Sequence, residues 1–240
     1  MKPARKRAQA IAQGRGRGDS LVIPLAFEVA ARISARPPDE FREDPTQLAN
    51  GLGELQQALG ADGIVCALAG GMELASAAGA GLAIDALAGR GPVAASLEAC
   101  RRLRAVHGDA VALLVGLTGP ATLARQFGVD VASAAAGFGA LLKVFCEAGA
   151  DVLLAIEDEG ADCADEAWQD GVRTAANIAR FHHASLLGWQ LAGLPGPARV
   201  PLEAPVAAPP GIVTTADFVA ADADLGSLAR WVASLRGSAA

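Results

Sequence analysis

Residues 113–128 read LLVGLTGPATLARQFG, an apolar run that meets Thr118-Gly119-Pro120 and continues in a helical pattern. An apolar run of this length, closed by glycine and proline, is typical of a buried strand that turns into a helix. The stretch therefore predicts a strand-turn-helix unit. Two interpretations stay open at this point: a buried strand that merely turns a corner, or the rim of an active site.

Six further apolar runs of strand length occur along the chain. They are residues 21–26, 63–68, 151–156, 185–191, 200–207 and 212–219. Helical patterns separate most of the runs, at residues 44–59, 93–106, 131–147, 164–181 and 225–235. Several runs are apolar on both faces, which is expected of parallel strands covered by helices. The alternation predicts an α/β fold with right-handed crossovers, in one domain over residues 1–240. It degrades in the proline-rich stretch 194–210.

Composition excludes several classes of protein. The chain is 52% hydrophobic, has a net charge of -6 and contains no tyrosine. An acidic chain with few aromatic residues is a poor partner for nucleic acid or an anionic membrane, and no apolar run is long enough to span a bilayer. Basic residues cluster only in residues 1–20, where we expect a solvated basic helix and loop, with a binding arm as the alternative.

The cysteines are dispersed. They are Cys66, Cys100, Cys146 and Cys163. None forms a Cys-x-x-Cys pair, so a structural zinc site is not predicted. Reduced thiols and the absence of a secretion signal favour the cytoplasm.

Four pieces of sequence resemble the uroporphyrinogen decarboxylase superfamily, which includes corrinoid-linked methyltransferases and is similar to the catalytic half of cobalamin-independent methionine synthase. The first, RAQAIAQGRGRGDSLVIPLAFEVAARISARPPDEFREDP, resembles the entry helix, first strand and following helix. The piece LGELQQALGADGIVC is similar to the helix that leads into the second strand. LLVGLTGPATLA resembles the third strand with its rim, and FCEAGADVLLAIED the fourth strand with its closing acidic residue.

The resemblance implies a TIM-type (β/α)8-like barrel, reduced or incomplete at its C-terminal end, whose active site lies at the C-terminal ends of the strands. It implies decarboxylation or methyl transfer on a tetrapyrrole- or corrinoid-linked small molecule. Several family positions are changed. The substrate-gripping arginines are replaced by residues 27–30, the catalytic aspartate by Ala69, the tyrosine by Gln126, and the zinc ligands by Gln190 and Ala192.

The polar residues expected at strand ends form an acidic rim. They are Glu28, Thr118, Glu157, Asp158, Glu203 and Asp217. Such a rim repels a polyanion and suits a cation, a metal ion or a neutral polar ligand. We predict acid/base or metal-assisted roles for Glu157, Asp158 and Glu28. Substrate contacts are predicted for Thr118, Gly119, Gln126 and Gln190. No cofactor is implied, although oxygen ligands leave a divalent cation open.

Two hypotheses follow. The chain is a divergent enzyme of this superfamily, a decarboxylase (lyase) or a methyltransferase, that binds a small molecule at the barrel mouth. Alternatively it is a pseudoenzyme, a degenerate barrel that binds a ligand or serves as the partner subunit of an active enzyme or a corrinoid protein. A homodimer would cover open sheet edges in either case.

Overall fold

Parallel strands and helices alternate along the described residues of a computed structural model, which are 2–16, 18–77, 83–203 and 208–237. The strands are β1 (Ser20–Val22), β2 (Gly63–Ala67), β3 (Ala112–Thr118), β4 (Val152–Ile156), β5 (Ser185–Trp189), β6 (Ala198–Val200) and β7 (Gly211–Thr215). The helices are α1 (Ala4–Ala12), α2 (Phe27–Ile33), α3 (Pro38–Glu43), α4 (Pro45–Leu59), α5 (Met72–Ala77), α6 (Ile84–Ala88), α7 (Gly91–His107), α8 (Pro120–Phe127), α9 (Val131–Glu147), α10 (Glu166–Phe181) and α11 (Leu225–Gly237).

The strands form two parallel sheets, β2-β3-β4-β5 and β1-β7-β6. A few hydrogen bonds link the sheets. Between β1 and β2, Asp62 N donates to Val22 O at 3.0 Å, and Val22 N donates to the Asp62 carboxylate. Between β5 and β6, Gly188 N donates to Pro195 O at 2.9 Å. The α/β class with parallel strands is confirmed. The described sheets are not closed, and the TIM-type barrel, reduced or incomplete at its C-terminal end, that the resemblance implied is not shown.

Local sequence signals explain the long helices. Asp44, Asp130 and Asp165 accept hydrogen bonds from the first-turn amides of α4, α9 and α10, as N-cap residues do. Gly60 and Gly128 end α4 and α8 in the left-handed conformation that favours glycine. The helix predicted at 131–147 has these bounds in the structure.

The sixth strand was predicted in the wrong place. The expected run was 200–207, whereas β6 covers Ala198–Val200 and the chain turns at residues 202 and 203. Residues 204–207 lie outside the described part. The apolar count in this stretch comes from valine, leucine and alanine between prolines. Pro201 has no N–H group to donate to a sheet ladder, so the strand ends at Val200.

Helix α1 covers the N-terminal ends of the strands. It packs against β1, β3, β5 and β7, which belong to both sheets. Arg7 is buried, and its guanidinium lies 2.6 Å from the carboxylate of Asp62, which precedes β2. Arg5 pairs at 3.2 Å with Asp151, which precedes β4. The expectation of a wholly solvated basic segment is therefore wrong for these two arginines.

Membrane-spanning potential is low in the helices of the described ranges. None of them alone has the length and apolarity of a span. The consecutive helices α8 and α9 reach that length and composition only together, across a bend of 115°.

Candidate functional site

The turn after β3 is built around one carboxylate. Gly119 N donates to Ile156 O at 2.7 Å and so continues the β3-β4 ladder. A Cβ at residue 119 would overlap the Glu157 carboxylate and would come within 2.9 Å of its Cγ. The absence of a side chain at Gly119 therefore leaves the space that the Glu157 side chain occupies.

Glu157 makes three hydrogen bonds there. Its oxygens accept from Ala121 N at 3.0 Å, from Thr122 N at 2.7 Å and from the indole Nε1 of Trp168 at 2.7 Å. The two amides belong to the first turn of α8, where a helix leaves its N–H groups without helical partners and favours negative charge. Glu157 thus ties β4, α8 and α10 together, and its predicted catalytic role stays a prediction.

The other two predicted catalytic carboxylates are paired with arginines. Asp158 forms an exposed ion pair with Arg125 of α8. Glu28 lies in the first turn of α2 and forms a half-buried ion pair with Arg42 of α3. Asp158 therefore lies beside α8, as Glu157 does, whereas Glu28 lies between α2 and α3. Their catalytic roles stay predictions.

The two glutamines predicted to contact substrate lie in different surroundings. Gln126 is in the last turn of α8, and its Oε1 is buried with no hydrogen-bond partner in the described part of the chain. Gln190 directly follows β5, is exposed and has a φ of 56°, in the left-handed region that side chains rarely adopt. Neither lines the cavity of about 330 Å³ that is described below.

Glu73, a fully buried carboxylate on α5, was not predicted from the sequence. It accepts hydrogen bonds from Thr118 N at 2.9 Å and from Thr118 Oγ1 at 2.8 Å. Burial raises the pKa of the Glu73 carboxyl above its ordinary value, and the hydrogen bonds from Thr118 oppose this shift. The resemblance placed a catalytic aspartate at position 69, which is alanine, and the fold brings a carboxyl group to the end of β3 from four residues further on.

The local chain path explains this placement. Strand β2 ends at Ala67, and Gly70 and Gly71 adopt positive φ angles of 152° and 83° before α5 begins. Successive N–H groups along a strand point to opposite sides. Gly119 N points to β4, so Thr118 N points to the β2 side, and β2 does not extend far enough to offer it a carbonyl. Glu73 supplies the acceptor that a longer β2 would have provided. The signal available in the sequence was Glu73, the single acidic residue of GGMELASA, two positions after a glycine pair.

A cavity of about 330 Å³ opens beside this turn. Its lining comes from α2, α3, α5, α7 and the loop after β2: Phe27, Asp39, Arg42, Glu43, Leu68, Gly70, Gly71, Met72, Ala75, Pro92 and Ser96. This volume is at the lower end of the range for small-molecule sites. The cavity is the candidate functional site, and it lies next to the carboxylate-bearing turn of α5.

An arginine does reach this mouth, although the expected position after β1 lacks one. Arg42 comes from α3, and its guanidinium carbon lies 6.0 Å from the centre of the Phe27 ring. The ion pair with Glu28 offsets its charge. The sequence did not predict this role of Arg42. Arg42 lies on a separate short helix, and its distance from β1 along the chain does not show that it folds back to Glu28.

Metal ligands do not cluster in the described ranges, where no group of three or more histidine, cysteine, aspartate or glutamate side chains is placed to hold an ion. The four cysteines are free thiols, and three of them are buried.

Comparisons with known proteins agree with the fold. No family model matches the chain, and no curated protein matches it. Among solved structures, a methyltransferase from Methanosarcina mazei matches with a TM-score of 0.71 and 14% sequence identity. The match covers 99% of this chain and 99% of that one. The chain therefore shares the fold of this methyltransferase over its full length. The superfamily suggested by the sequence motifs is not confirmed.

Proposed function

We propose that the protein acts in methyl transfer and binds a small molecule in the cavity beside the loop after β2. The observation that carries this proposal is the full-length fold match to a methyltransferase. The cavity supports it, because it lies beyond the C-terminal ends of parallel strands, where α/β proteins bind their ligands.

We also propose that the two sheets are the halves of an incomplete TIM-type barrel. Helix α1 contacts strands of both sheets at their N-terminal ends. Hydrogen bonds join β1 to residue 62, and β5 to residue 195, at the two seams. The C-terminal ends then face one mouth, which holds the Glu73–Thr118 pair beside the cavity.

Residues of this chain have definable tasks in such a site. Phe27, Leu68 and Met72 provide an apolar surface that excludes water from the ligand. Arg42 and Glu28 hold each other in place at the rim. Glu73, whose pKa is raised by burial, can hold a proton next to Thr118 near neutral pH more readily than an exposed glutamate.

A cavity-blocking variant tests the proposal. Ala75 is exposed at the surface and lines the cavity, so Ala75→Trp fills the site without disturbing the core. Leu74→Trp is the matched control, because Leu74 is the adjacent residue of α5, is 47% exposed and does not line the cavity. Each protein is given 13C-methyl-labelled methylcobalamin, S-adenosylmethionine, 5-methyltetrahydrofolate or tetramethylammonium, each with small thiol acceptors. Methylated product is then measured by NMR.

We expect one donor to be used by the wild-type protein and by Leu74→Trp, and at least tenfold more slowly by Ala75→Trp. Equal rates in the two variants would place the site elsewhere. No transfer by the wild-type protein from any of the donors would overturn the proposal in favour of a non-catalytic ligand-binding or partner subunit.

A further inference from the structure

We infer that the cavity selects a small organic cation that carries alkyl groups, such as a methylated ammonium or sulfonium compound. This inference rests on the proposed function, because it names the substrate class of the same site. It follows from the shape of the cavity and from the charges that remain after its internal ion pair is counted.

The shape sets the size and the apolar character of the ligand. A volume of about 330 Å³ admits a compact molecule. The walls are formed by Phe27, Leu68, Met72 and Pro92, which offer carbon and sulfur surface to alkyl groups. Gly70 and Gly71 have open space where a Cβ would stand, so the ligand can approach the backbone there.

The charges set the sign of the ligand. Arg42 is the one cation of the lining, and Glu28 already pairs with it. Asp39 and Glu43 also line the cavity, and neither forms an ion pair with a residue in the described ranges. The cavity with its paired Arg42–Glu28 rim therefore carries two uncompensated carboxylates. Such a surface attracts a cation and repels a phosphate or carboxylate.

Alkylated cations are the chemical class that meets both conditions. Their charge is spread over several methyl or methylene groups and is weakly hydrated, so they enter an apolar pocket at lower cost than an ammonium ion. Aromatic rings such as Phe27 attract them further through the ring quadrupole. A methylated cation also carries the group that the proposed reaction moves.

Three probes of equal shape and different charge test the inference. They are choline, its neutral carbon isostere 3,3-dimethylbutan-1-ol, and the anion 3,3-dimethylbutanoate. Dissociation constants are measured by saturation-transfer NMR on the whole protein at low and high salt. We expect choline to bind at least about tenfold more tightly than the alcohol at low salt, and the anion more weakly than both. The advantage of choline should shrink at high salt, where exposed charges are screened.

Variants locate the effect. Asp39→Asn/Glu43→Gln should remove most of the preference for choline over the alcohol, whereas Glu40→Gln should keep it. Glu40 is the matched control, since it is an exposed carboxylate of the same helix that does not line the cavity. Ala75→Trp should abolish binding of both probes.

Four results would overturn the inference: equal or tighter binding of the alcohol or the anion, an unchanged preference in the double variant, choline binding that survives Ala75→Trp, or no binding of any probe. If methyl transfer still depends on residue 75 in these cases, the proposed function stands and only the charge class fails. Cation-selective binding without transfer from any donor would instead keep the charge class and overturn the proposed function.

Discussion

The carboxylate of Glu157 occupies the space that a side chain at Gly119 would need. Gly119 has φ −71° and ψ 165°, which any residue adopts, so its requirement for glycine is steric and not conformational. The GPATL sequence at residues 119–123 is thus explained by the contact between the end of β3 and Glu157 at the end of β4. The glycine makes room, and the two amides after the proline bind the carboxylate that fills it.

Substitution of Gly119 by alanine is expected to destabilise the protein. The new methyl group overlaps Glu157 and forces it away from its three donors, which is overpacking combined with lost hydrogen bonds, worth about 1–3 kcal/mol. Chemical denaturation measures the free energy of unfolding. The matched control is Gly53→Ala in α4, where a Cβ finds only ordinary contacts at 3.6 and 3.9 Å. That change should be neutral or stabilise by about 0.5–1 kcal/mol, as alanine does within a helix. Equal effects at both positions would contradict this explanation.

Glu157→Gln is expected to weaken the junction of β4, α8 and α10. The amide keeps the shape of the side chain but replaces one acceptor oxygen by a donor, which then faces N–H groups. A loss of about 1–2 kcal/mol is expected from one unsatisfied donor and from the lost charge at the start of α8. The near-ultraviolet spectrum of Trp168 should change with it. Asp158→Asn serves as control, because its exposed pair with Arg125 is worth at most about 1 kcal/mol. A larger loss of stability in Asp158→Asn than in Glu157→Gln would mean that Asp158, and not Glu157, holds this junction together.

The buried Glu73 carboxyl should make the stability of the protein depend on pH. Burial raises the pKa of its carboxyl in the folded state above the unfolded value, so the folded protein keeps a proton that the unfolded chain has already lost. Stability from this group is greatest below the unfolded pKa and falls as pH rises toward the folded pKa. Glu73→Gln should remove that decline and hold Thr118 through its amide, whereas Glu73→Ala leaves Thr118 N without an acceptor and costs about 1–3 kcal/mol at every pH.

The measurement is the free energy of unfolding from pH 4 to pH 8 for the wild type and both variants. The difference between wild type and Glu73→Gln isolates this group from the other carboxyls that titrate in the range. A difference that stays flat across the pH range would show that Glu73 has an ordinary pKa in the folded protein.

Much of the fold was predictable because its signals are local. The apolar runs at β3 and β4 and the pattern of α9 are properties of consecutive residues, and capping aspartates mark several helix starts. The strand predicted at residues 200–207 shows the limit, because residues 201–203 lie outside any strand. Apolar residues between prolines satisfy a hydropathy criterion but not the hydrogen bonds of a sheet.

The site was less predictable because its contacts join distant residues. The pairing of Glu73 with Thr118 spans 45 positions, and Arg42 reaches Glu28 from a separate short helix. Charge counting placed Glu28 and Glu157 at a rim, but only three-dimensional contacts show that donors or an arginine already engage both carboxylates. The acidic rim predicted from sequence stays a prediction, and Asp39 and Glu43, which line the cavity, were not singled out.

Arg7 is expected to be the most sensitive residue of α1. Its buried guanidinium pairs with Asp62 at 2.6 Å, and Asp62 also accepts from Val22 N where the two sheets meet. Arg7→Met removes the close partner of the buried Asp62 carboxylate and leaves it with the longer contact to Arg236 at 3.5 Å. The expected loss approaches about 3–5 kcal/mol, the typical cost of breaking a buried ion pair. Lys6→Met is the matched control in the same helix turn, since Lys6 is 61% exposed and lies 3.9 Å from Asp109. Thermal unfolding should show a large drop in melting temperature for Arg7→Met and almost none for Lys6→Met.

Hydrogen exchange should become faster at Val22 and Asp62 in Arg7→Met, because both amides depend on the orientation of the Asp62 side chain and its loop. A small loss of stability for Arg7→Met, with unchanged exchange, would mean that backbone hydrogen bonds alone hold β1 against the start of β2.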